Sequence, residues 1–266
     1  MDEIKELHKC LLNITKEIDK ICKENHIQYT LMGGSLIGAI RHNGFIPWDD
    51  DMDIGLLYDD YKKLISILKE LNHPWLTFDI PECKEYEEQF MKVYDARTTL
   101  KEIKSNRVKG VFIDVFPIIP IANQMSKAKR RYYYDALLKM TRYNKTNNSK
   151  SSGLKMLIYK CLGMFYTAKG LTKKIQKRRE KFSKKAYKFI GDPDGSVKGI
   201  VPKAYFDQFE YHPFEDTELM IISQYDAYLT HIFGDYMQLP PVDKQVPGHF
   251  EILDLNHSYL EYNKEV

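Results

Sequence analysis

Apolar residues recur every three or four positions through the first part of the chain, with charged residues between them. This spacing predicts an amphipathic helix over residues 3–25. Beyond it, short apolar runs alternate with glycine, proline and asparagine, which is typical of strands joined by turns. We predict strands over residues 27–32, 51–57, 75–80, 89–95 and 110–116. This order of elements favours an α+β or α/β core over residues 1–122.

Two further helices are expected between these strands. Ser35 has the side chain of a good N-cap for a short helix over residues 36–41. Asp59 would cap a second helix, which has an apolar face and ends before Pro74. The chain is therefore expected to begin as helix, strand, helix, strand and helix.

The composition changes after residue 122, where basic helical segments replace the strands. Residues 127–188 contain 20 lysine and arginine residues against two acidic ones, a local charge of +18, whereas the whole chain carries only +3. The rest of the chain is therefore acidic, with a net charge of −15. We interpret residues 123–199 as a basic helical insertion, which includes a helix over 154–165 with an apolar stripe.

Two polar stretches interrupt this region. Residues 144–153 separate the basic helices, and residues 191–199 form a predicted loop. Beyond the loop, residues 200–266 are expected to hold short strands and one helix over 216–233. This third segment would complete the core and the substrate site.

Length and composition indicate a globular protein. The chain has 266 residues, of which 43% are hydrophobic and 29% charged. No apolar run reaches the roughly 20 residues that a spanning helix needs, and the N-terminus lacks the apolar core of a signal peptide. The four cysteines show neither a CxxC pair nor zinc-ligand spacing. We therefore expect a protein of the reducing cytoplasm.

Aspartates at positions 49, 50, 51 and 53 lead into the second predicted strand. Alternation along the strand would place Asp51 and Asp53 on one face. Two carboxylates with apolar neighbours repel each other unless a cation lies between them, so Mg²⁺ or Mn²⁺ bridging to phosphates is one interpretation. A solvated acidic loop is the alternative. An EF-hand calcium loop is disfavoured, because Ile54 replaces the sixth-position glycine and Asp60 the final glutamate.

A third aspartate and a glycine turn extend this pattern. Asp114 lies within an apolar strand, where an unpaired carboxylate is costly, so it either pairs with a basic side chain or joins the metal site. Gly33, Gly34 and Ser35 supply backbone N–H groups at a helix start, which suits a phosphate but also fits an ordinary turn. One short helix and a loop separate this turn from the aspartates, so both can face one cleft.

The segment GGSLIGAIRHNGFIPWDDDMDIG resembles the signature of the LicD family, phosphotransferases of the nucleotidyltransferase superfamily related to fukutin-type enzymes. That superfamily combines a Gly-Gly or Gly-Ser turn, an Asp-x-Asp strand and a third acid on a later strand. These features correspond to Gly34-Ser35, Asp51 with Asp53, and Asp114 in FIDVFP. The resemblance implies an α+β fold with a nucleotidyltransferase-like mixed sheet and flanking helices.

The C-terminal part also resembles the family. The matching segments are Phe214-Glu215, Tyr225-Asp226, Leu229 and the run from Phe233 to Pro241. Two departures occur there: Phe233 stands where the family more often has tyrosine, and Gln245 where a basic residue is expected. Both concern substrate contacts rather than the carboxylates.

The resemblance implies transfer of phosphocholine from CDP-choline to a sugar hydroxyl of a cell-surface glycan, often a lipid-linked teichoic acid precursor, with release of CMP. Asp51, Asp53 and Asp114 would be catalytic residues and ligands of Mg²⁺ or Mn²⁺, and Asp114 would accept the hydroxyl proton. A sibling interpretation transfers another polyol phosphate, such as ribitol phosphate, from a CDP donor. A non-catalytic adaptor that binds membranes or nucleic acid is the unrelated alternative.

Further residues are candidates for substrate contacts. Arg41 and Lys92 could bind phosphates, or they could be ordinary surface charges. A choline headgroup calls for aromatic side chains around it. Trp48, directly before the aspartates, is the best-placed ring and Tyr94 the second, with core packing as the alternative for both.

The basic region has three interpretations. A solvated helical face is the general expectation, but the charge of residues 127–188 exceeds it. Nucleic-acid binding lacks a fold signature here, so no nucleic-acid partner is predicted. We predict contact with an anionic membrane surface, since the stripe over residues 154–165 is flanked by lysines. The protein would then lie at the inner face of the cell membrane, close to a lipid-linked acceptor.

Overall fold

A mixed seven-stranded sheet lies at the centre of the fold. The computed structural model describes residues 2–83, 86–103, 105, 107–146, 154–192, 196–248 and 250–265. The strands are β1 (Thr30–Leu31), β2 (Asp53–Leu57), β3 (Leu76–Asp79), β4 (Met91–Asp95), β5 (Thr99–Glu102), β6 (Val108–Lys109), β7 (Phe112–Ala122), β8 (Phe189–Gly191), β9 (Val201–Pro202), β10 (Phe209–Phe214), β11 (Thr217–Ile222) and β12 (Phe250–Asp254). The helices are α1 (Asp2–Glu24), α2 (Gly33–His42), α3 (Tyr58–Glu70), α4 (Met125–Thr146), α5 (Leu154–Met164), α6 (Ala168–Ser183), α7 (Tyr225–Phe233) and α8 (Tyr259–Glu265).

The sheet has the order β1-β2-β7-β4-β3, and β8 pairs with both β7 and β9. Strands β2 and β7 run parallel, and the other pairs of this sheet are antiparallel. Strands β10 and β11 form a hairpin, and β12, β5 and β6 form a small separate sheet. This mixture of parallel and antiparallel strands with helices confirms the α+β class.

The main core lies between the sheet and the N-terminal helix. Helix α1 contacts β4 and β7, and α3 contacts β2 and β7. Fully buried residues of α1 recur every three or four positions, and the odd-numbered residues of β4 and β7 are buried in the same core. These residues are Leu7, Leu11, Ile14 and Ile18 of the helix and Met91, Val93, Ile113 and Val115 of the strands. Because strand side chains alternate, the even-numbered residues of β4 and β7 point to the opposite face.

The basic region is tied to the sheet by buried arginines. Helix α4 packs on α5 and α6, with Leu138, Leu171 and Ile175 in a small core between α4 and α6. Arg142 donates hydrogen bonds to the carbonyl oxygens of Tyr86 and Glu87, and Arg179 donates to that of Gln89. Part of the positive charge therefore has a structural role. None of the helices in the described part of the chain is long and apolar enough to cross a membrane.

The predicted helix over residues 216–233 is wrong in its first half. Residues 217–222 form β11, which pairs along its whole length with β10, and only α7 is helical. The buried Leu219 lies between the more exposed Glu218 and Met220, which fits a strand. The turn between β10 and β11 contains Glu215 with φ of 53°.

Smaller differences concern element boundaries. Helix α2 begins at Gly33 with Met32 at the N-cap, so Ser35 lies inside the helix and does not cap it. The acidic strand begins at Asp53, so Asp51 precedes it. Asp59 lies in the first turn of α3, because Leu57 is the N-cap. Of the predicted polar stretch 144–153, residues 147–153 lie outside the described part of the chain.

Candidate active site

Charged side chains form a row across four neighbouring strands. Asp53 on β2 is in register with Asp114 on β7, Asp114 with Lys92 on β4, and Lys92 with Asp79 on β3. Residues directly opposite each other in a sheet project on the same face. The row therefore lies on the face opposite the buried odd-numbered residues of β4 and β7.

Asp114 occupies the middle of this row. Its Oδ1 is buried, accepts no hydrogen bond from the described residues, and lies 3.5 Å from the Nζ of Lys92. Burial raises the pKa of Asp114 to about 7, although Lys92 acts to lower it. The sequence offered two alternatives for Asp114, pairing with a basic side chain or joining a metal site. Asp114 has features of both, because it lies beside Lys92 and its Oδ1 accepts no hydrogen bond from the described residues.

Lys92 is held between two carboxylates. Its Nζ donates to Glu102 Oε1 at 2.9 Å, and it lies 3.5 Å from the centre of the Phe112 ring. Burial alone would lower the pKa of Lys92, but Asp114 and Glu102 raise it above its usual value. The ammonium group therefore stays charged although the residue is only 4% exposed.

Asp53 is positioned by the glycine turn and by Ser35. Its backbone N–H donates to Ser35 Oγ at 2.9 Å, and its carbonyl oxygen accepts from the N–H of Met32 at 2.9 Å. Gly33 has φ of 53°, and a Cβ atom there would lie 3.0 Å from Asp53 Oδ2. A Cβ atom at Gly34 would overlap the carboxylate of Asp49. The two glycines thus allow both carboxylates to approach the N-terminus of α2.

The remaining aspartates crowd around Asp53. Burial raises the pKa of Asp53 well above its usual value, and Asp51, Asp114, Asp49 and Asp192 raise it further. Asp51 lies with Asp114 along a cavity of 70 Å³ at the edge of the sheet. The structure therefore brings the three predicted carboxylates, Asp51, Asp53 and Asp114, into one region.

These residues fit a divalent cation in their chemistry. Carboxylate oxygens are the ligands that Mg²⁺ and Mn²⁺ prefer, Asp114 Oδ1 lacks a donor, and burial together with the neighbouring acids disfavours the ionised form of Asp53. In the part of the chain that the structure describes, no three His, Cys, Asp or Glu side chains already surround one point. Side-chain rotation would be needed to bring the carboxylates around one ion.

The other predicted contact residues lie elsewhere. Arg41 Nη1 donates to the carbonyl oxygen of Tyr236 at 2.9 Å and so holds the C-terminal segment. Trp48 packs partly buried against the main core, with its ring 6.5 Å from that of His42. Tyr94 is buried and lines a cavity of 250 Å³ that also contains Lys92. Their predicted roles in substrate binding stay predictions.

A larger cavity of 440 Å³ opens on the other side of Asp53. Five aromatic residues and a second carboxylate contribute to its wall: Phe90, Phe116, Phe206, Tyr228, Phe233 and Asp192. Phe233 stands at a motif position that the family resemblance relates to substrate contacts, and the other five were not predicted from the sequence. Burial raises the pKa of Tyr228, and the charges of Asp192 and Asp53 raise it further. The position of Phe116, two residues after Asp114, was a local signal for a shared face, whereas Asp192 had none.

The C-terminal motif residues support the loop that carries the aspartates. Glu215 Oε1 accepts from the N–H of Phe45 at 3.0 Å, and the N–H of Glu215 donates to the carbonyl oxygen of Asn43 at 2.8 Å. The hydroxyl of Tyr236 donates to Asp226 at 2.8 Å. The motif therefore holds the aspartate loop in place from a distant part of the chain.

Several known proteins have sequences similar to this chain. The nucleotidyltransferase domain described as LicD/FKTN/FKRP matches residues 26–145. The lipopolysaccharide cholinephosphotransferase LicD of Haemophilus influenzae is 30% identical over 262 residues, which cover 93% of this chain and 96% of the relative. The ribitol 5-phosphate transferases FKRP of Homo sapiens and Mus musculus are 53% identical over 34 residues, which cover 13% of this chain and 7% of each relative. The matched domain includes the whole charged row.

Proposed function

Because the chain belongs to the LicD family and is a phosphotransferase, we propose that it transfers phosphocholine from CDP-choline to a sugar hydroxyl of a cell-surface glycan precursor. One observation carries this proposal: the carboxylates of Asp53 and Asp114 lie in register beside a glycine turn at the N-terminus of α2. Backbone N–H groups at a helix N-terminus suit phosphate. A relative that is similar over nearly the whole chain is a cholinephosphotransferase by name.

The carboxylates would act together on the pyrophosphate of the donor. Asp51, Asp53 and Asp114 are the residues that would hold Mg²⁺ or Mn²⁺, with Gly33, Gly34 and Ser35 at the phosphate side. When bound, the cation would offset the charge of the two phosphates. The residues of the chain would orient the donor, since phosphoryl transfer depends on positioning more than on covalent chemistry.

Bond making and breaking would follow from this placement. The acceptor oxygen forms a bond to the phosphorus that carries choline, and the bond from that phosphorus to the bridging oxygen breaks. CMP leaves with the bonding electron pair. The hydroxyl proton passes to Asp114, which lies in the middle of the charged row. Lys92 lies beside Asp114 and would steady its charge.

We further propose that the acceptor is a lipid-linked teichoic acid precursor and that residues 127–188 contact the anionic inner face of the membrane. Exposed apolar side chains on and just after α5 support this, including Leu157 at 58% exposure and Phe165 at 78%. Ribitol phosphate from a CDP donor is the second candidate cargo, because the short similarity to FKRP proteins favours it.

The test is CMP release from CDP-choline with a teichoic acid acceptor and Mg²⁺. We expect Asp53→Asn to lower kcat/KM at least about a hundredfold, because a neutral amide cannot offset cationic charge. Asp59→Asn is the matched control, since the Asp59 side chain is 80% exposed and forms an ion pair with Lys62 at 3.0 Å. EDTA should abolish release, and added Mg²⁺ or Mn²⁺ should restore it.

Two outcomes would change the assignment. Near-wild-type turnover of Asp53→Asn would show that the carboxylates are not the reacting site. Turnover of CDP-ribitol with no turnover of CDP-choline would replace the cargo and leave the rest of the proposal in place.

A further inference from the structure

The 440 Å³ cavity beside Asp53 has walls of aromatic rings from distant parts of the chain. On the sheet side, the rings of Phe90 and Phe116 lie 4.5 Å apart. Outside the sheet, Phe206 and Tyr228 meet edge to face, with ring centres 5.8 Å apart. The volume falls within the roughly 300–1,000 Å³ of typical ligand pockets. The cavity therefore has the volume of a ligand pocket and aromatic rings in its walls.

The polar side chains that line this cavity, among the described residues, are acidic or neutral. Asp53 and Asp192 are its acidic residues, Ser196 and Tyr228 supply hydroxyls, and no Lys, Arg, His, Asn or Gln lines it among the residues that the structure describes. A free phosphate or a sugar would find few hydrogen-bond donors there. Aromatic faces combined with carboxylates instead favour a cation that needs no hydrogen bonds.

The cavity also adjoins the proposed binding position of the donor phosphates. Asp53 and Gly33 line it, so one end adjoins the proposed phosphate position at the N-terminus of α2. Asp192, which follows β8, and aromatic residues of α7 also line it. A group attached to the transferred phosphate would extend from the charged row into this cavity.

We propose that this cavity binds the quaternary ammonium headgroup of the donor, and that Asp192 with Phe206 and Tyr228 selects choline over uncharged polyols. This inference rests on the proposed function, since it assigns the cargo end of the same site. The headgroup would then lie away from Trp48 and Tyr94, because these two residues are not among the described residues that line this cavity. Asp192 also lies outside the matched domain at residues 26–145, so cargo selection would come from a separate segment.

The first experiment measures binding of phosphocholine and, separately, of CMP to the full chain by calorimetry. We expect Asp192→Asn and Phe206→Leu each to weaken phosphocholine binding about tenfold, because a desolvated cation loses a carboxylate or an aromatic face. CMP binding should stay within twofold. Phe182→Leu is the matched control for the ring, because Phe182 is buried but packs against Tyr187 and Arg131 instead. Thermal unfolding verifies that each variant is folded.

Two results would overturn the inference. If Asp192→Asn and Phe206→Leu weaken CMP binding and leave phosphocholine unchanged, the cavity holds the nucleoside. If folded variants bind both probes as the wild type does, the cavity is not part of the donor site. These binding results do not depend on turnover, so they separate this inference from the proposed reaction.

A kinetic measurement also separates this inference from the proposed reaction. The ratio of kcat/KM for CDP-choline to that for CDP-ribitol should fall about tenfold in Asp192→Asn. An unchanged ratio with normal turnover would support the proposed reaction and contradict the role of Asp192 in cargo selection. If phosphocholine binding depends on Asp192 but the protein has no transferase activity, the assignment of the cavity is supported and the proposed reaction is contradicted.

Discussion

At the scale of single residues, Ser35 links the glycine turn to the carboxylate strand. Its hydroxyl oxygen accepts a hydrogen bond from the backbone N–H of Asp53, and Ser35 itself is buried within α2. Without this acceptor, the first N–H of β2 would be buried without a partner. Ser35 therefore helps to position Asp53, which differs from the N-cap role predicted from its sequence position.

Ser35→Ala is expected to lower the free energy of unfolding by about 1–3 kcal/mol, because the Asp53 N–H would be left without its acceptor. Urea unfolding measures this change. Ser66→Ala in α3 is the control, because Ser66 is also helical but exposed, so it reports the small gain in helix propensity alone. Equal changes in the two variants would contradict the role of the hydrogen bond.

At the scale of elements, α2 and the loop that follows it are in close contact. The helix ends at Asn43, whose φ is 52°, and the chain then turns back along the helix. Gly38 faces this returning segment, since a Cβ atom there would lie 2.5 Å from the carbonyl oxygen of Gly44. Glu215 holds the same loop from the other side. The position of the aspartates therefore depends on how closely α2 and its loop approach.

Gly38→Ala should destabilise the protein by about 1–3 kcal/mol, because the added methyl group overlaps backbone that has to move. Gly163→Ala is the matched control within α5, where the added Cβ would lie 4.0 Å from Thr141 and closer to no other described residue. That variant should be neutral or more stable by up to about 1 kcal/mol, since alanine favours helix. Differential scanning calorimetry of both variants compares them. A neutral Gly38→Ala would show that the loop has room to move.

At the scale of the whole molecule, charge is divided between two regions. The charged row lies on the central sheet, whereas the region of helices α4 to α6 is basic, with a net charge of +18 over residues 127–188. Some arginines bind backbone carbonyl oxygens of the core, so the basic region is anchored to the sheet. Exposed apolar side chains of α5 combine with the remaining lysines, as in helices that lie in a membrane interface.

The wild type is expected to float with liposomes that contain anionic lipid and to dissociate at high salt, because the attraction is screened within about 8 Å at physiological ionic strength. The double variant Leu157→Ser/Phe165→Ser should reduce the bound fraction severalfold. Val242→Ser/Leu260→Ser is the control, since both side chains are exposed outside the basic region. Equal flotation of the two double variants would contradict the proposed membrane surface.

Sequence patterns were sufficient where structure depends on neighbouring residues. The periodicity of α1 and the alternation around Asp114 follow from the repeat of a helix and a strand, so each could be predicted locally. Residues 217–222 were not predicted as a strand, because pairing with β10 across the hairpin decided their conformation. Likewise, Asp51 precedes the strand that was expected to contain it.

The sequence by itself determined the family, the class of fold and the aspartates of the proposed site. Only the tertiary structure decided that Lys92 and Asp114 are neighbours and that Ser35 binds the backbone of Asp53. It also decided that Asp192, Phe206 and Tyr228 share one cavity with Asp53. The physical reason is distance along the chain, because packing brings these residues together and no local pattern records which distant segments will meet.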